Sequence, residues 1–313
     1  MVTILSRYRE HRVKIKNPGQ KLHGIRSNRY ALFYLLPMAA VFLVFTIIPT
    51  LFVGVISLFH WNVLNPALSQ FVGFKNYEDL LQSPVFWHSL FISLLFVLGT
   101  VPTTVVIAVA IAVLLMDNLP LRGLVRTGVF SPYITPVVAT SIIWIWMLNP
   151  QFGLINSLLH AVHLPAVEWL ESPHWALLGV ILFTLWHNMG FDVIIFMAGL
   201  TSLSSELGEA AKVDGASPLQ RFVYVTWPLL SPTTFFVTII TTIGALQAFT
   251  QFFTMTQGGP LDATTTTSYL VYEMGFLFFH EGFASAIAVV MFLIIALLTI
   301  MQWKISERRV HYQ

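Results

Sequence analysis

Three groups of residues in this 313-residue chain have types and spacings that could do chemistry. The first lies in the stretch LWHNMGFDVIIF. On a helix His187, Asn188, Phe191 and Asp192 fall within an arc of about 140°, and Thr184 joins them at helical spacing. An imidazole, an amide and a hydroxyl beside an aromatic ring suit a solute rich in hydroxyl groups. The same side chains also suit interhelical hydrogen bonds, worth about 0.6 kcal/mol each. His187 and Asn188 read as solute-facing, and Asp192 reads as a group held by a structural partner. The second group is Thr241, Gly244, Ala245 and Ala248, small residues on one helix face that make either a helix contact or room for a ligand. Gln247 and Gln251 lie close by and carry amides. The third is EAAKVDGASPLQRF, residues 209–222, where Glu, Lys, Asp, Arg and Gly sit together between apolar stretches. Other chemistries find no support. There is no cysteine for thiolate chemistry, no H-E-x-x-H or other metal-ligand spacing, and no Walker lysine motif for hydrolysing ATP.

The elements that must position these residues are membrane helices. The chain is 56% hydrophobic and 10% charged, against about 45–50% and 25% in soluble domains. A crossing needs about 20 apolar residues. Six segments reach that length, roughly 31–59, 90–116, 124–149, 176–201, 229–252 and 283–303. The expectation is an all-α polytopic protein. It has a basic segment over 1–30, a six-span domain over 31–303 and a tail over 304–313. The lysines and arginines fix its orientation. Fifteen lie in 1–30, in alternate connections and in the tail, whereas the opposite connections 60–89, 150–175 and 253–282 hold only Lys75. The positive-inside rule puts both termini and residues 202–228 in the cytoplasm. The basic leader also suits anionic lipid, and nothing points to nucleic acid. Trp144, Trp146, Trp169, Trp175 and Trp303 fall near span ends and read as an interfacial belt.

Within 202–228, Ser204 or Ser205 is placed to cap a short helix, with Glu206 and Glu209 at the positive end of its dipole. Gly215 is placed to end that helix in a left-handed cap. Ser217, Pro218 and Gln220 then form the start of a second helix as an S-x-x-Q capping box. The spacing predicts a stiff helix–Gly–helix elbow. Its small, alanine-bearing first helix suits a groove on another protein better than a membrane surface, which would want bulky apolar residues and basic flanks.

These residues carry a resemblance. Glu209-Ala210-Ala211, Asp214-Gly215-Ala216, Gln220, Phe222 and Val225-x-Trp227-Pro228 resemble the EAA loop of ABC importer permeases, with Trp227 where an aliphatic residue is usual. The segments LLPMAAVFLVFTIIPTLFVGVISLF, FVGFKNYEDLL, SPYITPVV, VEWLESPHWAL, FMAGLTSLSSELGEAA and MTQGGPLDATTTTSYLVY are similar to the carbohydrate-uptake, maltose-type branch. The resemblance implies the type I ABC importer transmembrane fold in a bacterial or archaeal cytoplasmic membrane. It implies a second homologous permease subunit as a heterodimer partner, a cytoplasmic ATPase dimer and an extracytoplasmic binding protein. This chain would hold no cofactor, ATP and Mg²⁺ sitting at the ATPase. The resemblance assigns coupling to Glu209, Ala210, Ala211, Asp214, Gly215 and Ala216. By motif alignment it puts sugar against Tyr133 of the third span, against Thr184, His187, Asn188 and Phe191, and against Thr241, Gly244, Ala245 and Ala248. Thr184, Ala245 and Ala248 replace amides of the maltose site, which argues against maltose itself. Saccharides of any size, acidic ones included, and polyol or glycerol-phosphate-like solutes stay open. A rival class is an ion-driven secondary transporter with Asp192 and His187 as a proton relay; the six spans and the elbow argue against it.

Overall fold

The computed structural model describes residues 28–63, 65–116 and 122–307. Most of the basic leader, as well as Arg308 and Arg309, lies outside the described residues. Chain contacts divide the molecule into two units, one ending at Phe52 and one beginning at Val53. The first unit holds α1 (Asn28–Phe42) and most of α2 (Ile48–Ile56), joined by a π turn over Leu43–Ile47. Pro49 has no N–H to give to the preceding turn, and the wider π turn accommodates that gap.

The second unit opens with a two-residue hairpin, β1 (Phe59–His60) against β2 (Gln70–Phe71), antiparallel with Phe59 opposite Phe71. It is the one departure from an all-helical chain among the described residues. The short helix α3 (Lys75–Gln82) follows, and Asn76 ties it to the hairpin by donating to the carbonyls of Ser57 and Phe59 at 2.8 and 2.9 Å. The connection 60–89 is therefore part helical. Next come α4 (Pro84–Met116), α5 (Arg122–Ile134), α6 (Val137–Met147), α7 (Leu154–Ala161) and α8 (Ala176–Ser202). The elbow is α9 (Ser205–Val213), α10 (Pro218–Arg221) and α11 (Trp227–Leu229). After it run α12 (Ser231–Leu246), α13 (Thr250–Met255), α14 (Thr267–Tyr272) and α15 (Glu281–Glu307).

Four helices are long and apolar enough to cross a membrane unbroken: Phe33–Ile56, Pro84–Met116, Ala176–Ser202 and Glu281–Ile305. Six crossings result if each of two bent pairs counts as one. The third span is not the continuous helix expected over 124–149: α5 and α6 meet at a 105° bend. Pro136 lacks the donor that would continue α5, and its ring pushes Thr135 out of the helical region. The fifth span also departs from 229–252. Its helix α12 joins the elbow at a 67° bend and stops at Leu246, three residues short of α13.

Two apolar clusters stack along the paired helices α4 and α8. One holds Phe96, Val101, Val180, Leu185, Ala245 and Phe252. The other holds Val105, Ala108, Ala112, Val193, Phe196 and Val237. Glycine sets how closely the helices approach at one place in particular: a Cβ at Gly190 would lie 2.5 Å from the Val129 carbonyl, so α5 and α8 touch backbone to backbone. The belt reading fails for two tryptophans. Trp144 and Trp169 are buried in a third cluster with Phe183 and Met255, and the Trp169 Nε1 donates to Asn156 at 3.0 Å. Trp146, Trp175 and Trp303 are exposed.

Candidate functional site

Between the two stacked clusters the helices part. A recess of about 210 Å³ opens there, and a second of about 220 Å³ adjoins it. Both sit near the middle of α8. The break after α12 brings α13 across one side, and the break at Thr135–Pro136 ends α5 at another.

Most residues proposed from sequence for the solute path converge here. Tyr133, Thr184, Asn188 and Phe191 line the first recess, with Thr241, Gly244, Ala245, Ala248 and Gln251 opposite. Thr184, Asn188, Gly244, Ala248 and Gln251 also reach the second recess, which adds His187 and Gln247. The rings of Tyr133 and Phe191 stack at 5.1 Å and 24°, giving a flat aromatic wall. A Cβ on Gly244 would meet nothing within 4 Å, so this glycine is open room and not a helix contact.

The hydrogen bonds sort the polar groups. His187 is buried, its Nε2 donating to the Thr135 carbonyl at 3.1 Å while Nδ1 pairs with the Asn188 side-chain amide at 2.9 Å. Both ring nitrogens are engaged, so His187 mainly clamps α8 to the break in the third span and orients Asn188. Thr184 donates to the Val180 carbonyl at 2.8 Å, which leaves its oxygen lone pairs toward the recess.

Sequence reasoning missed part of this wall. Asp192, set aside as a structural group, lines the recess although only 3% of it is exposed, and its carboxyl faces the Thr241 hydroxyl. Thr100 and Thr104 line it from α4. Their signal was present: two threonines one turn apart beside Pro102 in a span otherwise almost wholly apolar.

The elbow carries the third group. The Ser204 hydroxyl accepts from the Glu206 N–H, capping α9. Gly215 adopts φ +79°, and Ser217 and Gln220 complete a reciprocal capping box. Pro228 follows a second π turn over Phe222–Thr226, as Pro49 follows the first. Glu209, Ala210, Asp214 and Gly215 are exposed, while Ala211 and Ala216 are half-buried. Val213 is 88% exposed, an apolar side chain left bare at the end of α9.

A family model described as binding-protein-dependent transport system inner membrane component matches residues 104–312. The trehalose/maltose transport system permease protein of Thermococcus litoralis is 32% identical over 287 residues, covering 91% of this chain and 96% of that one. The sulfoquinovosyl glycerol transport system permease protein of Agrobacterium fabrum is 31% identical over 264 residues, covering 84% and 85%. In fold, the chain is similar to a subunit of a bacterial ABC transporter involved in importing the acidic polysaccharide alginate. The TM-score is 0.79 at 22% identity, over 91% of this chain and 98% of that one.

Proposed function

Because the chain belongs to the family of binding-protein-dependent transport system inner membrane components, we propose that it is one of two homologous permease subunits of an ATP-driven carbohydrate importer. As a member it is an inner-membrane transport subunit that works with a binding protein. The recess supports carbohydrate as its cargo. It joins an aromatic wall, Tyr133 on Phe191, to hydroxyls and amides near the middle of α8. Aromatic faces take the apolar face of a sugar ring, and the polar groups take its hydroxyls. Relatives named for trehalose, maltose and sulfoquinovosyl glycerol favour the same class.

The energy would come from outside the chain. A separate ATPase dimer would hold ATP and Mg²⁺ and would seat α9 of the elbow, with Glu209, Ala210, Ala211, Asp214, Gly215 and Ala216 at the contact. The exposed, capped helix with bare Val213 favours that role, since a rigid protrusion transmits force without folding on contact. Both termini and the elbow would lie in the cytoplasm, and ATPase closure would switch access to the recess from one side to the other.

The chain has no cysteine, so single cysteines report cleanly. Val213→Cys should react with a membrane-impermeant maleimide only from the cytoplasmic side, and the assembled ATPase should protect it. Labelling from the outside alone would overturn the reading, because no cytoplasmic ATPase could reach α9.

A further inference from the structure

The wall of the recess carries both donors and acceptors but a single charged group. The Thr100 hydroxyl gives its proton to the Phe96 carbonyl at 2.6 Å, and the Thr184 hydroxyl gives its proton to the Val180 carbonyl at 2.8 Å. The Thr241 hydroxyl is buried with no hydrogen-bond partner beside the Asp192 carboxyl. Thr100 and Thr184 therefore turn oxygen lone pairs inward, and Asp192 adds two more acceptor oxygens. Asn188, Gln251 and the hydroxyls of Tyr133, Thr104 and Thr241 are left as the donors.

Charge, by contrast, is one-sided. Asp192 is the only Asp, Glu, Lys or Arg in either lining. The nearest basic residue on a lining helix, Arg126 of α5, stands about 10 Å along the helix from Tyr133 and lines neither recess. A solute bringing a carboxylate, phosphate or sulfonate would meet a buried carboxylate and no lysine or arginine from this chain. Two acidic groups sharing one dry site cannot both ionise without cost. A solute bearing only hydroxyls can pair with both the donors and the acceptors of this wall and adds no charge to it.

We propose that the recess is built for an uncharged, hydroxyl-rich saccharide and that Asp192 is the residue that excludes anionic ones. The proposal rests on the recess being the solute path and adds to it the charge class of the cargo and the residue that enforces it. Two unit charges about 6 Å apart at an effective dielectric near 20 correspond to a discrimination of about 100-fold.

The test uses the whole transporter, this chain with its partner subunits, in lipid nanodiscs without the binding protein, whose own selectivity would mask the recess. Equilibrium binding of trehalose, maltose and lactose is measured beside that of trehalose 6-phosphate. Wild type should hold trehalose about 100-fold tighter than its phosphate. Asp192→Asn keeps shape and hydrogen bonding and should bring the two within about 5-fold, mainly by admitting the phosphate; Asp192→Ser is carried alongside should the amide not fold. Equal binding of the two by wild type overturns the proposal. So does full discrimination surviving in a folded Asp192 variant. In either case the solute-path reading stands if Phe191→Ala weakens binding of the neutral sugar. Neutral sugars that fail to bind, or bind indifferently to Phe191→Ala and Asn188→Ala, remove the path itself and the proposal with it.

Discussion

The elbow offers a graded perturbation at Gly215. Its φ is +79°, and nothing lies within 4 Å of where a Cβ would stand. A substitution there meets no neighbour, so its whole cost is backbone conformation. An L-residue in the left-handed region costs about 1–2 kcal/mol, a β-branched one more, and asparagine the least. Such a cost shifts the population of the bent elbow by roughly 5- to 30-fold. The alternative is for α9 to swing away from α10, carrying Glu209 and Ala210 off their docking position. Gly215→Asn, →Ala and →Val should therefore show progressively weaker uptake and weaker stimulation of ATPase by the loaded binding protein. Both are measured in proteoliposomes and normalised to inserted protein. Gly208 is the internal control. It also has open space around it but sits inside α9 without a positive φ. Gly208→Ala should be neutral or stabilise the helix by about 0.5–1 kcal/mol. Wild-type coupling in Gly215→Val would refute the reasoning, as would an equal loss in Gly208→Ala, which would mean that α9 tolerates no added side chain at all.

Other expectations are simpler to state. Asn188→Ala removes a donor from the recess and should weaken uptake by about 2- to 12-fold, the value of one neutral hydrogen bond of about 0.5–1.5 kcal/mol. Phe191→Ala should cost at least as much, and normal uptake per folded molecule in both would remove them from the path. Gly190→Ala forces a methyl against the Val129 carbonyl and should lower stability by about 1–3 kcal/mol, read as a drop in melting temperature and folded yield. Burial, helped by the charge of Asp262, lifts Glu273 in the connection between α13 and α15 above the ordinary carboxylate range. The ionised form is the disfavoured one, so local stability there is greatest below the ordinary glutamate value and is lost as pH rises through the lifted value. Hydrogen exchange across residues 256–280 should quicken over that window, and Glu273→Gln should flatten the dependence.

How much of this was legible in the sequence depended on the range of the interaction involved. The elbow could be read residue by residue because its signals are local: Ser204 caps two residues on, Gln220 answers Ser217 across one turn, and Gly215 needs only its own φ. The ends of α8 fell at Ala176 and Ser202 for a similar reason, since polar residues flank an apolar run. The breaks at Thr135–Pro136 and after Leu246 were not legible. Pro37, Pro102 and Pro132 all sit inside helices of this chain, so a proline in an apolar run did not announce a 105° bend. Trp144 and Trp169 were misplaced because a tryptophan at a span end looks the same whether lipid or Phe183 lies beside it. Asp192 was set aside as a group with a structural partner, whereas its place in a recess comes from how five helices, α4, α5, α8, α12 and α13, meet. The charge balance of its wall depended on which side chains the helices bring together, which no spacing reveals.

The close approach at Gly190 has a mechanical corollary. With α5 and α8 in backbone contact, Tyr133 and Phe191 ride on one stiff plate, and the His187 clamp fastens the broken end of α5 to the same plate. Thr241 and Gly244 ride on α12, which bends at the elbow on one end and stops at Leu246 on the other, its last carbonyl accepting from the Ser268 hydroxyl at 3.0 Å. If the recess changes shape during a cycle, the aromatic pair travels as a fixed tile while the hydroxyl-bearing face slides past it. A bound ring would then keep its stacking partner to the last and shed its hydrogen bonds first. Cargo would leave by peeling from the polar side, and the rate of that peeling would follow the number of its hydroxyls more than the size of its ring face.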